Sequence, residues 1–285
     1  MKNIHVLKLS ITSFLCWFIL IFPGFSHPAL SAASLDTMPL EIPKELVLQE
    51  DGPQKYSVMT NIRTRKSDGG LINHIQLTGD FTRGLENNCV RWNNVKMAAR
   101  QDAAQPLPPG QPLAFMENFS YNNFDSITSE AFFKNMPQGE ILHLVKSLVW
   151  DAVSVEFYGW TFWDKLELNH PIQPAEFEDF NVQIGNWGAM KMKGLNVTWT
   201  GISERNGENC AVIHYQSLCN PVEATQENPI VGRSLYWGLV WVSLVDKQIE
   251  YATLNEDLIF EITMPGGADK MLMNMQREFL FDKVE

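Results

Sequence analysis

One stretch concentrates side chains able to bind or react. Trp150-Asp-Ala-Val-Ser-Val-Glu-Phe-Tyr-Gly-Trp-Thr-Phe-Trp-Asp164 sets six aromatic rings beside Asp151, Glu156 and Asp164. Rings with a few convergent polar groups line small-molecule pockets. The acids admit a second chemistry, because two carboxylates about 5 to 10 Å apart in one cleft can serve as acid and base in hydrolysis. The plain alternative is a thick helix whose rings fill volume against a curved sheet.

Two arginines stand out by position. Arg233 opens the run Gly232-Arg-Ser-Leu-Tyr-Trp-Gly-Leu-Val-Trp-Val-Ser243, and Arg277 falls within an apolar row near the carboxy terminus. A cation on an apolar face is costly unless paired. Each either clamps a carboxylate or phosphate at a cavity mouth or pairs with Glu250, Glu256 or Glu278 at a sheet margin.

Metal chemistry finds little support. Glu140 and His143 form Glu-x-x-His, but a bundle metal site needs two such motifs and further carboxylates. Only one is present, and it reads as a helix start with an acid near its amino end. His74, His170 and His214 have no neighbouring His or Cys at ligand spacing. Gly-x-Ser-x-Gly, Gly-x-x-x-x-Gly-Lys-Ser/Thr and His-Glu-x-x-His do not occur. No catalytic residue, metal or cofactor is expected. Asn118-Phe-Ser120 and Asn196-Val-Thr198 are glycosylation sequons, relevant only in a eukaryotic secretory route.

The elements that must position these groups follow from pattern. Tyr56, Val58, Thr60 and Ile62 alternate with Lys55, Ser57, Asn61 and Arg63, as in a half-buried strand. Asp68-Gly-Gly70 signals a hairpin, and Leu71–Phe81 and Cys89–Met97 continue the sheet. Pro106, Pro108, Pro109, Gly110 and Pro112 mark a loop. Ser126–Met136 reads as a short helix and Gly139–Leu166 as a long one, with Gly159 a point of break or kink and Pro171 and Pro174 ending it.

The latter half reads as a meander: Ala189–Glu204, Asn209–Cys219, Ser234–Val245, Gln248–Met264 and a last strand. Asn206-Gly207 joins the first pair as a hairpin. These five strands run to about 10 to 16 residues, long against the usual 5 or 6, which favours a strongly curved sheet or barrel. In Gln248–Met264 one face is apolar and the other polar, so that region has one wet side. In Ser234–Val245 both faces are apolar. Leu235, Trp237, Leu239 and Trp241 oppose Tyr236, Val240, Val242 and Leu244, so a cover on both sides is expected, with the aromatic helix as one. In the last strand Met271, Met273, Met275, Phe279 and Phe281 alternate with Asn274, Gln276, Glu278 and Asp282.

Composition sets the compartment and excludes some partners. Lys2 and Lys8 flank a basic start, Leu9–Phe22 is apolar, and Ala29-Leu-Ser-Ala-Ala33 is small, the layout of a secretory leader cut near residue 33. The apolar run is short for a membrane span, which needs about 20 residues. The whole chain carries −11. Losing Lys2 and Lys8 leaves 33 acids against 20 bases, or −13, in the mature part. That balance argues against nucleic acid and anionic membrane surfaces. Export permits disulfides. Cys210 and Cys219 on one strand lie about 30 Å apart and cannot pair. Cys89 bridges one of them or all three thiols are free.

The expected fold is α+β and mainly β: a long curved antiparallel sheet, half-barrel or barrel-like, with an aromatic-rich helical segment packed against one face. A cleaved leader at 1–33 precedes a single domain at 34–285, with a helical insertion at about 126–168. In layout this is similar to the bacterial periplasmic lipid-carrier half-barrels, a likeness of fold alone. The leading functional expectation is a periplasmic or secreted, non-enzymatic binding protein. It holds an apolar or amphipathic small molecule between sheet and helix, not nucleic acid, and is not membrane-embedded once the leader is cut. Trp150, Tyr158, Trp160, Trp163, Trp237 and Trp241 line the space, with Arg233 at its rim. The alternatives are an envelope structural or interaction protein with a self-filled core, and a carboxylate-dependent hydrolase.

Overall fold

Two hairpin-forming halves of the chain meet edge to edge in one sheet. The computed structural model describes residues 41–86, 89–122, 133–137, 139–175, 178, 181–184, 188–224, 230–263 and 270–284. The leader at 1–33, residues 126–132 of the expected short helix, and the break at 264–267 lie outside them. The strands are β1 (Gln54–Lys66), β2 (Leu71–Leu85), β3 (Cys89–Arg100), β4 (Gln111–Pro112), β5 (Phe119–Asn122), β6 (Asn181–Ile184), β7 (Gly188–Lys191), β8 (Asn196–Arg205), β9 (Glu208–Ala224), β10 (Ile230–Ser243), β11 (Ile249–Thr263) and β12 (Lys270–Val284). They pair antiparallel in the order β4-β3-β2-β1-β12-β11-β10-β9-β7-β6, with β5 on β3 and β8 on β9. The one long helix among the described residues, α1 (Glu140–Trp160), packs on the sheet. The fold is thus mainly β: a long curved sheet, not closed, with an aromatic-rich helix on one face.

Local chemistry explains the turns. Asn206 and Gly207 take φ of 51° and 78°, the two left-handed residues of the tight β8–β9 hairpin. At Asp68-Gly-Gly70 the Asp68 carboxylate accepts from the Gly70 amide at 2.8 Å. The strand expected over Ala189–Glu204 is instead two, β7 and β8, separated at Lys193-Gly194. Strand β9 is 17 residues long, and its edge is shared between them: β8 pairs with Glu208–Gln216 and β7 with Val222–Glu223. A bulge between Ser217 and Asn220 leaves Leu218 and Cys219 exposed. Cys89, Cys210 and Cys219 are all free thiols.

The helix buries Leu142, Val145, Leu148, Val149, Ala152 and Val155, a stripe at the 3- and 4-residue spacing of one helical face. Gly159 neither breaks nor kinks it. A Cβ placed there would stand 3.2 Å from Val240 and 3.3 Å from Ile249, so glycine lets the helix sit close to β10 and β11. Gly159→Leu is expected to destabilise the fold by about 1–3 kcal/mol through overpacking. Urea unfolding checks this, and an unchanged midpoint would show that the helix has room to spare.

The helix gives the sheet two different sides. Tyr158 stacks on Tyr215 with ring centroids 4.0 Å apart and tilts against Tyr236 at 6.1 Å. Because strand side chains alternate, Ser234, Tyr236, Val240 and Val242 face the helix. Leu235, Trp237, Leu239 and Trp241 face the opposite side. There they are half-buried, and no described element lies over them. The expectation that β10 is covered on both sides is corrected accordingly. Neighbouring strands shield these side chains instead: Trp241 packs edge-on to Tyr251 at 5.2 Å, and the Arg205 guanidinium lies 4.0 Å over the Tyr251 ring.

Candidate functional site

Register places the helix-facing side chains in rows. Tyr236, Glu256, Arg277 and Ile62 stand side by side across β10, β11, β12 and β1. The next row holds Ser234, Leu258, Met275 and Thr64. Beyond it come Gly232, Phe260 and Met273, then Ile230, Ile262 and Met271. Leu258 and Phe260 are 7% exposed, while Ile230, Ile262, Met271, Met273 and Met275 are half-buried. This end of the sheet therefore presents an apolar surface across three strands, open in part to solvent. In the amino-terminal half of α1, Ile141, Leu144 and Trp150 are half-buried and pack against the core. Methionine suits such a surface because its unbranched thioether adapts to ligands of different shape.

A buried charge cluster underlies this apolar mouth. Arg277 contacts Asp151 of α1 at 2.7 Å and Glu256 of β11 at 2.8 Å. The Ser234 hydroxyl, itself in the first apolar row, donates to Glu256 at 2.6 Å. Burial outweighs the attraction of Arg277 and pushes Asp151 up to about 7. The two carboxylates hold Arg277 above its ordinary value against the opposing effect of burial. Asp151 Oδ2 and Arg277 Nε are buried without a hydrogen-bond partner.

A second cluster ties the other half of the helix to the sheet. Arg83 of β2 contacts Glu156 at 2.5 Å and Glu50 at 2.5 Å, with its guanidinium 4.3 Å from the Trp160 ring centroid. Burial pushes Glu156 up to about 7, with Arg83 opposing. The three acids singled out from the sequence thus separate. Asp151 and Glu156 are bound by different arginines, and Asp164 is exposed in the 3-10 turn Trp163–Lys165. No free pair of carboxylates in one cleft emerges from them.

The expected site residues divide between the two sides of the sheet. Tyr158 is buried in the tyrosine stack. Trp160 is half-buried and donates from Nε1 to the Lys247 carbonyl at 2.7 Å. Trp163 is buried and donates to the Pro43 carbonyl at 3.1 Å. Both tryptophans secure the end of the helix. Trp150 is half-buried and packs against the core. Arg233, Trp237 and Trp241 lie on the side away from the helix, Arg233 exposed beside Ile259, so they cannot line one space with the helix rings. The alternation of β10 already held that distinction; the density of apolar residues on both faces hid it. Arg277, also singled out, does pair with one expected partner, Glu256, while Asp151 was not foreseen. The methionine row was visible as alternation but carried no hint of partial exposure.

One grouping of metal-type ligands is found among the described residues: Glu208, Asp246 and Glu250, with one carboxylate oxygen from each within 4.8 Å of the others. The Lys283 ammonium pairs with Glu250, and the Ser243 hydroxyl donates to Glu208. Glu250 of this group is thus already paired with an ammonium, at the opposite end of β12 from the methionine row. Among the described residues no helix is long and apolar enough to cross a membrane. No protein-family model matches the chain, and no curated protein sequence is similar to it.

Proposed function

We propose that this is an exported, non-enzymatic binding protein that carries an apolar or amphipathic molecule on the helix-facing side of its sheet, at the methionine-lined end. The observation that carries the proposal is the apolar surface of Ile230, Ile262, Met271, Met273 and Met275, half-buried around the closed side chains of Leu258 and Phe260. A surface of that kind, partly screened by an amphipathic helix, gives an acyl chain or similar apolar body a place to leave water, at about 25 cal/mol per Å2 buried. Export to the periplasm or outside the cell rests on the leader.

Lipid extraction and native mass spectrometry of the purified protein test this. An apolar molecule is expected to co-purify and to be reduced at least tenfold in Met275→Trp, whose indole fills the mouth. Protein that carries no such molecule, and whose tryptophan fluorescence ignores added oleyl alcohol, oleate and oleylamine, would overturn the proposal.

A second reading has its own support. On the other side Leu235, Trp237, Leu239 and Trp241 adjoin exposed Val231 and Ile259, an apolar patch of the sort that meets a protein partner. Sedimentation showing self-association abolished by Trp237→Ser would favour an interaction protein instead.

A further inference from the structure

We propose that the side of the sheet away from the helix binds an uncharged oligosaccharide along β10, with Trp237 as its platform. This goes beyond the carrier reading and does not depend on it, since the two sites lie on opposite sides of the sheet.

Register surrounds Trp237 with hydrogen-bonding side chains. Gln216 of β9 and Asn255 of β11 stand directly opposite it, one on each side. His214 and Thr253 flank Leu239, the next residue of β10 on that side. The side chains of Gln216, His214 and Asn255 are half-buried and make no hydrogen bond or ion pair among the described residues. No described element lies over them, so a ligand reaches them from solvent.

These features match a sugar ring. Its C–H face is apolar and suits the negative face of an indole. Its rim carries hydroxyls, each a donor and an acceptor. An amide side chain is also both, so Gln216 and Asn255 can pair with the rim of a ring stacked on Trp237. A purely apolar partner would bury the two amides with their hydrogen bonds unmade, which is costly.

Charge and length narrow the class. The ions nearest this surface are matched: Arg63 pairs with Glu278 at 2.7 Å and Arg205 with Asp282 at 2.9 Å. Burial holds His214 below its ordinary 6.5, and Asp257 stands opposite Leu235. No cation is left beside Trp237 for an acidic sugar, and Asp257 repels one. Trp241 lies four residues along β10 on the same side, about 13 Å away, edge-on to Tyr251. One sugar ring does not span that distance, so the ligand is a chain.

Calorimetric titration with cellohexaose, xylohexaose, maltohexaose and chitohexaose tests this, with hexagalacturonate as the acidic comparison. At least one neutral hexasaccharide is expected to bind, at least tenfold more tightly than its own disaccharide and than hexagalacturonate. Trp237→Ala is expected to weaken that binding at least tenfold, and Gln216→Ala or Asn255→Ala severalfold. Thermal melting confirms folding; if the tryptophan variant does not fold, the amide variants carry the comparison. Unchanged binding in a folded Trp237→Ala overturns the platform. Hexagalacturonate binding as tightly as the best neutral chain overturns the uncharged class. Failure of every neutral chain to bind overturns the proposal, as does self-association through this face that Trp237→Ala abolishes. None of these results bears on the molecule carried on the helix-facing side, which lipid extraction reads separately.

Discussion

Replacing Arg277 by Met is expected to cost about 3–5 kcal/mol of folding stability, the scale for removing one partner from a buried charge pair. Arg277 is the sole cation in contact with Asp151 and Glu256 among the described residues. Without it two acids on different elements, α1 and β11, are left facing each other at low exposure. The cost comes from stranding them, not from the intrinsic strength of the ion pair. That distinction can be checked. The triple variant Asp151→Leu, Glu256→Met, Arg277→Met removes every charge and is expected to recover most of the loss, since apolar replacements of buried ion clusters are often neutral or stabilising. Urea unfolding followed by tryptophan fluorescence measures both. A loss below about 1 kcal/mol for Arg277→Met would show that the cluster is hydrated and not buried.

The second large effect is on pH dependence. Asp151 and Glu156 are both pushed up to about 7, from ordinary values of 3.8 and 4.5, with burial as the leading cause. A carboxyl whose value is raised by folding binds its proton more tightly in the folded state. Its contribution to stability is complete below about pH 4 and is lost as pH rises through 7. Together the two groups contribute on the order of several kcal/mol across that window, at about 1.4 kcal/mol per pKa unit. His74, His143 and His214 are held below their ordinary 6.5, with burial the leading cause. They act the other way, losing stability as pH falls. The acid effect is therefore cleanest above pH 6.5, where unfolding midpoints are expected to decline through pH 7 and then level off toward pH 8. Asp151→Asn combined with Glu156→Gln is expected to flatten the decline. A midpoint that rises from pH 6.5 to 8 would contradict both assignments.

The two arginine clusters also show where sequence reasoning reaches its limit. Local pattern located the strands well. The long alternating runs became β9 to β12, Asn206-Gly207 became a hairpin, and the aromatic segment became a helix against β10. Arg277 was conspicuous because a cation in an alternating apolar row breaks a local rule. Its helix partner Asp151 lies 126 residues away on an element whose position no local pattern supplies. Arg83 looked ordinary, and its partners Glu50 and Glu156 lie on opposite sides of it in the chain. The misassignment of Trp237 and Trp241 has a different origin. Counting apolar residues on both faces of β10 invites a cover on each side, but rings of that size can be half-shielded by cross-strand neighbours such as Tyr251, and one face remains open. The methionines of β12 were legible as a row. That the row emerges from the core toward solvent depends on where the helix ends relative to the sheet, which is a tertiary fact.

The central claim is that an apolar molecule sits on the helix-facing side of the sheet at its methionine-lined end. Photolabelling with a diazirine-bearing long-chain alcohol, followed by peptide mapping, addresses it most directly. Label is expected on Met271, Met273, Met275 and Ile262, and is expected to be competed away by unlabelled oleyl alcohol. Label concentrated on Trp237 and Trp241, or spread over the surface without competition, would contradict it.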